Sequence, residues 1–322
     1  MNETISGVNI VLLLLLAVIP VILLCIFVFM KDKRKEPIKT VFHTLLLGCL
    51  SVIPVIICEL LLGELFPTDI ENLTLYIINK NFITLFINVL VSVALVEEFF
   101  KWLVIMKTTY YENVMDEIYD GIVYGTFASL GFAVVENIMY VISYANQYGL
   151  SYGFEIGLRR GLTSIPGHAS FGIMMGFFLG YAKLWKVKKN SKKTSIYLVL
   201  SLIVPILLHT IYDALLMYNV NVVLFYLFII SLYILCFILV FKISNDDQLI
   251  FINRNNNPNI GNDYNNPVYY NTNMNPNYMN QNNGNPCYIN QKFNNYTYYC
   301  PRCGHPHDGT NQFCIRCGLK LK

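Results

Sequence analysis

The sequence predicts an all-α polytopic membrane protein of about seven transmembrane helices, followed by a small C-terminal zinc-ribbon module. Hydrophobic residues make up 55% of the 322 residues and charged residues only 13%, whereas about a quarter of a soluble domain is charged. Seven apolar stretches are long enough to cross a bilayer, which takes about 20 residues. A net charge of +3 is too small to indicate a nucleic-acid partner.

The basic loops predict the orientation of the spans. The first span, residues 7–30, is followed at once by four basic residues within 31–35. Because such loops stay cytoplasmic, the N-terminus is expected outside and the C-terminus, seven spans later, in the cytoplasm. A second lysine cluster at residues 186–193 falls on the cytoplasmic side independently. The remaining spans are expected at residues 38–65, 82–106, 121–144, 164–185, 195–217 and 222–241.

Three domains follow from the change of composition after the last span. Residues 1–245 form the transmembrane domain, and residues 246–299 are rich in Asn, Tyr and Pro with few aliphatic side chains. Such a segment cannot bury a core and is expected to be a disordered linker. Residues 300–322 hold two CxxC pairs, which supply four thiolates for a structural zinc ion. These ligands are Cys300, Cys303, Cys314 and Cys317. The ribbon is predicted to recruit a cytoplasmic protein partner or to sense the state of the cytoplasm.

Three ionisable residues lie within one and a half turns of the third span. Each of Glu97, Glu98 and Lys101 costs a few kcal/mol at bilayer depth, which makes the group a functional-site candidate. Lys101 is four residues after Glu97 and three after Glu98, so it can pair with either glutamate. The other glutamate would then be available for chemistry.

The next three spans each carry a further polar group. Glu136 lies in the fourth span, His168 in the fifth, and His209 in the sixth, one turn before Asp213. The carboxylate of Asp213 can fix the tautomer of His209. A carboxylate that activates water, with imidazoles that bind a metal or stabilise an oxyanion, suits hydrolysis of a peptide bond. Counted at 1.5 Å per residue, the glutamate pair lies roughly 12–14 Å above the cytoplasmic end of its span and the other groups roughly 20–25 Å or more.

Structural interpretations of the same residues stay open at this point. A Glu–Lys pair can simply join helices, and a histidine in a span is often an interhelical hydrogen-bond partner. Transporters also place charged groups near the midplane. The alternative function is therefore a non-catalytic transporter or a scaffold that presents the ribbon. Five glycines in and just before the fifth span are interpreted as a helix-packing face: Gly161, Gly167, Gly172, Gly176 and Gly180.

Four motifs in order on successive spans resemble those of the PrsW family of intramembrane proteases, related to the CAAX-protease superfamily. The resemblance covers residues 97–216. The motifs are EExxK with Glu97, Glu98 and Lys101, FxxxE from Phe132 to Glu136 followed by Asn137, Pro166-Gly167-His168, and HxxxD from His209 to Asp213.

The resemblance implies a membrane endopeptidase that cuts membrane-anchored proteins, one known role being cleavage of an anti-sigma factor on its outer side. Family members are described as metalloproteases, whereas the related prenyl-protein proteases use a glutamate and a histidine without metal. Both mechanisms stay open here. Glu97 or Glu98 is expected to be the general base, with Glu97 preferred and Lys101 tuning the pair. Glu136 and His168 would orient water or bind a catalytic divalent metal.

His209, held by Asp213, is expected either to bind the same metal or to stabilise the oxyanion. With the depths given above, the site would lie between the middle of the membrane and its outer leaflet and would open outward.

Overall fold

A computed structural model describes residues 7–63, 82–112, 114–218, 222–245 and 250, together with the backbone of three short strands between residues 288 and 307. Within these residues, seven helices are long and apolar enough to cross a membrane. The predicted number of spans is therefore confirmed. The candidate spans are Gly7–Lys31, Ile38–Leu62, Phe82–Tyr110, Ile118–Tyr148, Leu150–Val187, Ser191–Met217 and Val222–Asn245.

Several spans consist of more than one helix. The helices are α1 Gly7–Lys31, α2 Ile38–Leu50, α3 Val52–Gly63, α4 Phe82–Val89, α5 Leu95–Ile105, α6 Ile118–Tyr148, α7 Leu150–Leu162, α8 Ser164–Val187, α9 Ser191–Met217 and α10 Val222–Asn245. Two π-helical segments, Leu90–Ala94 and Met106–Tyr110, flank α5. Each π turn inserts an extra residue and so changes the direction in which later side chains point.

The third span is longer than the sequence predicts, and this changes the depth of its glutamates. It continues to Tyr110 rather than ending at residue 106, so Glu97 lies roughly 20 Å from that end. The expected difference in depth between the glutamate pair and the other polar groups was therefore wrong. The boundary was missed because the polar residues Lys107, Thr108 and Thr109 end the apolar run while the helix itself continues.

The predicted outer loop at residues 145–163 is also wrong, since it is helical. Helix α6 continues to Tyr148, the chain turns at Gly149 with a φ of 96°, and α7 follows at once. Gly153 and Gly157 let α7 pack closely against Ala145 of α6 and Leu16 of α1. Glycines four residues apart are a helix-packing pattern, so the sequence did contain this signal.

Helices α6 and α8 cross at backbone contact. A Cβ atom added at Gly121 or Gly125 of α6 would overlap backbone atoms of Gly176 or Gly172 of α8, and the converse holds. The predicted packing face is confirmed for Gly172, Gly176 and Gly180. A Cβ atom added at Gly161 or Gly167 would meet Pro20 or Tyr212 at ordinary van der Waals distance. This crossing brings the fourth and fifth spans together below their polar groups.

The C-terminal unit, residues 248–322, is a separate compact unit. Its strands β1 Tyr288–Lys292 and β2 Asn295–Tyr299 pair antiparallel, and β3 Pro306–His307 pairs with β2. The first two strands lie in the segment expected to be linker, where tyrosine and threonine favour extended structure. The four predicted zinc ligands, Cys300, Cys303, Cys314 and Cys317, lie outside the described residues, so the zinc ribbon stays a prediction.

A buried acidic cluster joins the α1–α2 loop to the start of α6. Tyr124 donates a hydrogen bond to Glu36, and Arg34 forms an ion pair with Glu117. Asp120 accepts hydrogen bonds from two backbone N–H groups of the preceding turn, including that of Glu117 at 2.6 Å. Burial raises the pKa of Glu36 from its ordinary value of 4.5 to about 7. Glu36 therefore destabilises the folded state when it is ionised.

We expect the stability of the protein to fall as the pH rises through the window set by Glu36. Between about 4.5 and about 7 the folded state binds more protons than the unfolded state, and the loss is complete above the folded pKa. Glu36→Gln should remove this loss, and the gain over wild type should approach 3 kcal/mol at about pH 8. Unfolding midpoints in detergent at about pH 4 and about pH 8 measure it. A gain that is equal at both values would contradict the assignment.

Gly176→Ala should destabilise the protein, because the new methyl group would overlap the backbone of Gly121. Overpacking of this kind costs about 1–3 kcal/mol, although alanine favours the helix by about 0.5–1 kcal/mol. The matched control is Gly161→Ala, whose methyl group would meet only Pro20 at 3.4 Å. Thermal unfolding in detergent compares the two variants. Equal midpoints would contradict the close crossing.

Candidate active site

Lys101 is the centre of the polar cluster. It is fully buried, and its Nζ donates to Glu97 Oε2 and to Glu98 Oε1, each at 2.9 Å. The sequence left open which glutamate pairs with the lysine. In the structure both do, since positions i−4 and i−3 lie on the same side of α5.

His168 connects this cluster to Glu136. Its Nδ1 lies 3.0 Å from Lys101 Nζ, and its Nε2 lies 2.9 Å from Glu136 Oε2. An ammonium group has donors but no acceptor, so Nδ1 must accept the hydrogen bond from Lys101. The ring proton is then on Nε2, which donates to Glu136. His168 is therefore held as a neutral ring in one tautomer.

His209 joins the cluster from α9. Its Nδ1 lies 3.0 Å from Glu98 Oε1, and its Nε2 lies 3.2 Å from Asp213 Oδ2. The predicted pairing of His209 with Asp213 is present, and the contact with Glu98 is an addition. Both ring nitrogens thus face carboxylate oxygens, an arrangement that suits an imidazolium. Helices α5, α6, α8 and α9 together supply all seven predicted site residues to one network.

Aromatic rings separate this network from its surroundings. The Phe132 ring centroid lies 4.1 Å from Lys101 Nζ, and Phe171 stacks on His209 with centroids 4.8 Å apart. The rings of His168 and His209 are edge to face at 5.3 Å. Apolar walls lower the local dielectric and strengthen each ion pair inside them.

Two charged residues of the site were not identified as such from the sequence. Arg160 of α7 lies 2.9 Å from Glu136 Oε2, donates to Asn137 Oδ1 at 2.9 Å and covers the Tyr140 ring. The predicted spans ended at residue 144 and began again at residue 164, which left Arg160 in a loop between them. Its helix was missed, so its partner was too.

Glu59 of α3 is the second such residue. It is partly buried and interacts electrostatically with Glu97 and Glu136. The rule that singled out the other residues, an ionisable side chain within a span, applies equally to Glu59. Glu59 belongs to no motif and is the one acidic residue of its helix, so no spacing rule pairs it with another polar residue.

Glu97, Glu98 and His168 are the residues of this network that could hold a metal ion. Each offers one ligand atom, and these atoms lie within 4.8 Å of one another. Carboxylate and imidazole ligands suit zinc by type. However, Lys101 Nζ donates to all three side chains, and His168 has no free lone pair while it does so. The three residues therefore do not fit a metal together with Lys101 in its place.

The fold and the site define a class: a polytopic helical membrane protein with a buried carboxylate–histidine centre suited to hydrolysis. A family model described as "PrsW family intramembrane metalloprotease" matches residues 36–242. The chain belongs to the PrsW family and is an intramembrane protease. Acting within the membrane, it has membrane-embedded protein substrates.

Relatives named "Protease PrsW" share a large part of the chain. The protein of Oceanobacillus iheyensis is 35% identical over 194 residues, which is 60% of this chain and 78% of the relative. That of Bacillus subtilis is 34% identical over 195 residues, with the same coverage of 60% and 78%. That of Clostridioides difficile is 30% identical over 251 residues, 78% of this chain and 95% of the relative. No solved structure is significantly similar to the chain.

Arg160→Gln should destabilise the protein, because it removes the positive charge that pairs with Glu136. In the wild type the Arg160 side chain is 15% exposed and lies 2.9 Å from Glu136 Oε2. Loss of one partner of a fully buried pair costs on the order of 3 kcal/mol, and we expect a smaller cost here because the two side chains are 15% and 18% exposed. The matched control is Arg159→Gln, because Arg159 pairs with Glu155 where both side chains are more than half exposed. Unfolding midpoints in detergent distinguish the two variants. A control that is as unstable as Arg160→Gln would contradict the role of the buried pair.

Proposed function

We propose that the protein cleaves membrane-anchored regulatory proteins by activating a water molecule with Glu97, in a site whose charges are held by Lys101. The observation that carries the proposal is the unbroken series of polar contacts from Glu136 through His168 and Lys101 to the glutamate pair and His209. Helices from four spans contribute to it. A network of this kind holds catalytic groups in position before substrate arrives.

Glu97 suits the role of general base better than Glu98. Glu98 shares one oxygen between Lys101 at 2.9 Å and His209 at 3.0 Å, and its side chain is fully buried. Its Oε2 is also buried, with no hydrogen-bond partner among the described residues. Glu97 accepts from Lys101, lies 3.9 Å from His209 and keeps 6% of its side chain exposed. The more accessible carboxylate is the one that water can reach.

The proposed reaction needs one proton transfer in each direction. Glu97 takes a proton from water as the water oxygen bonds to the carbonyl carbon of the scissile peptide. The same carboxyl group then gives the proton to the leaving nitrogen as the C–N bond breaks. General acid–base catalysis by a positioned side chain contributes typically ~10²–10⁴-fold.

The other residues of the network hold or orient the reacting groups. His168 carries its proton on the side that faces Glu136, so these two residues form an oriented pair beside Lys101. Asp213 and Glu98 hold the His209 ring between them. His209 then supplies positive charge near a developing oxyanion. No step of this proposal passes through a metal ion.

The proposal also covers the membrane orientation of the protein and its C-terminal residues 300–322. The basic segments at residues 31–35 and 186–193 favour an outer N-terminus and a cytoplasmic C-terminus. A regulatory target, similar to a membrane-anchored anti-sigma factor, would then be cut toward the outer side. The four cysteines Cys300, Cys303, Cys314 and Cys317 would bind zinc and recruit a cytoplasmic protein partner. A transporter with the same charges would show ion-coupled uptake and no cleavage.

Glu97→Gln should lower the cleavage rate by about 10²–10⁴-fold, because glutamine cannot take a proton from water. The variant keeps the size of the side chain and a hydrogen-bond acceptor for Lys101. Cleavage of a transmembrane test substrate by purified protein in proteoliposomes measures the effect. The control is Glu155→Gln. Glu155 is exposed, and its ion pair is with Arg159 and not with a residue of the Lys101 network. Wild-type cleavage by Glu97→Gln would show that Glu97 is not the base.

A further inference from the structure

All three N–H donors of Lys101 are directed at acceptors of the site. The distances are 2.9 Å to Glu97 Oε2, 2.9 Å to Glu98 Oε1 and 3.0 Å to His168 Nδ1. The ring of Phe132 closes the position at 4.1 Å from Nζ. Since an ammonium group has three donors, Lys101 has none left for a substrate. Lys101 must therefore act through Glu97, Glu98 and His168, the side chains to which it donates hydrogen bonds.

These three acceptor side chains are also the group of the site that could ligate a metal. A metal in this place would need the carboxylates and the imidazole as ligands, at about 2.0–2.2 Å for zinc. The observed distances are those of charged hydrogen bonds to nitrogen. The cage that would hold a divalent cation is thus closed around the ammonium group.

We propose that Lys101 is the resident cation of this site and that its ammonium group excludes a divalent metal from Glu97, Glu98 and His168. The wild-type protein would then bind no metal at these residues. Removal of the ammonium group would turn the same three side chains into a metal site.

Two features of the chain favour the lysine over a free ion. Lys101 is on the same helix as both glutamates, at i+4 and i+3, so folding alone delivers its charge and no binding step is required. A metal would have to displace a fully buried side chain and leave its ammonium group without acceptors, which is costly. The carboxylates alone, without Lys101, would be two adjacent buried anions that attract any cation of suitable size.

Metal binding tests this proposal independently of cleavage. The full chain is used with Cys300, Cys303, Cys314 and Cys317 each replaced by serine, so that tail thiolates cannot bind the probe. Zn²⁺ is titrated by calorimetry, and Mn²⁺ binding is followed by electron paramagnetic resonance. We expect no ion at the site in this background. We expect about one ion per chain after Lys101→Met, with affinity for each ion raised at least ~100-fold.

Two further variants locate the ion. Lys101→Met combined with His168→Gln should lose at least ~10-fold of the gained affinity, whereas Lys101→Arg, which keeps the charge, should gain none. If Lys101→Met unfolds without metal, Zn²⁺ should restore its thermal transition but leave that of the serine background unchanged.

Failure of Lys101→Met to bind either ion would overturn the proposal. One ion per chain in the serine background, lost on His168→Gln, would overturn it as well, and this measurement does not depend on whether Lys101→Met folds. The result of the metal-binding test does not depend on the result of the Glu97→Gln cleavage test. Wild-type cleavage that persists after chelation agrees with the exclusion of metal, while loss of cleavage in Glu97→Gln concerns only the base.

Discussion

Inside a bilayer, a charge must be neutralised by protein groups, because lipid offers neither counter-ions nor hydrogen bonds. Lys101 meets this requirement for the glutamate pair, with its ammonium group 2.9 Å from each carboxylate, and it also donates a hydrogen bond to the neutral ring of His168 at 3.0 Å. Without it, two adjacent carboxylates would lie in the core of the span with His209 as their nearest cation among the described residues. The remaining ion pairs follow the same rule: Arg160 balances Glu136, and His209 lies between Glu98 and Asp213. The network therefore depends on the lysine.

The helix crossings decide whether these charges can meet. Glu136 and His168 belong to α6 and α8, whose backbones touch at Gly121, Gly125, Gly172 and Gly176. Larger side chains would separate the two helices and lengthen the 2.9 Å contact between His168 and Glu136. Helix α7 uses Gly153 and Gly157 in the same way to return along α1 and α6, which brings Arg160 to Glu136. Glycines at the helix crossings therefore set the distances between the polar side chains of the site.

The sequence predicted the number of spans, and it singled out seven polar residues that the structure brings into one network, because each inference rests on a local rule. An ionisable residue in an apolar run is costly wherever it lies, and spacings of three or four residues join one helix face. What failed were features that depend on tertiary contacts. Polar residues after Met106 hid the π-helical end of the third span, and residues 150–162 form a helix that packs through Gly153 and Gly157 against its neighbours. Arg160 was missed for a related reason, since its helix was not predicted and only packing shows that it faces Glu136. Glu59 was within reach of the local rule, but it belongs to no motif.

A metal ion and a lysine solve the same electrostatic problem by different means. Both place positive charge among carboxylates, but a metal also offers an open position for water, whereas an ammonium group with three acceptors offers none. In the proposed mechanism a carboxylate must then activate the water, and Glu97 is the glutamate of the pair whose side chain keeps some exposure. The choice of cation at Lys101 and the choice of base at Glu97 are therefore linked.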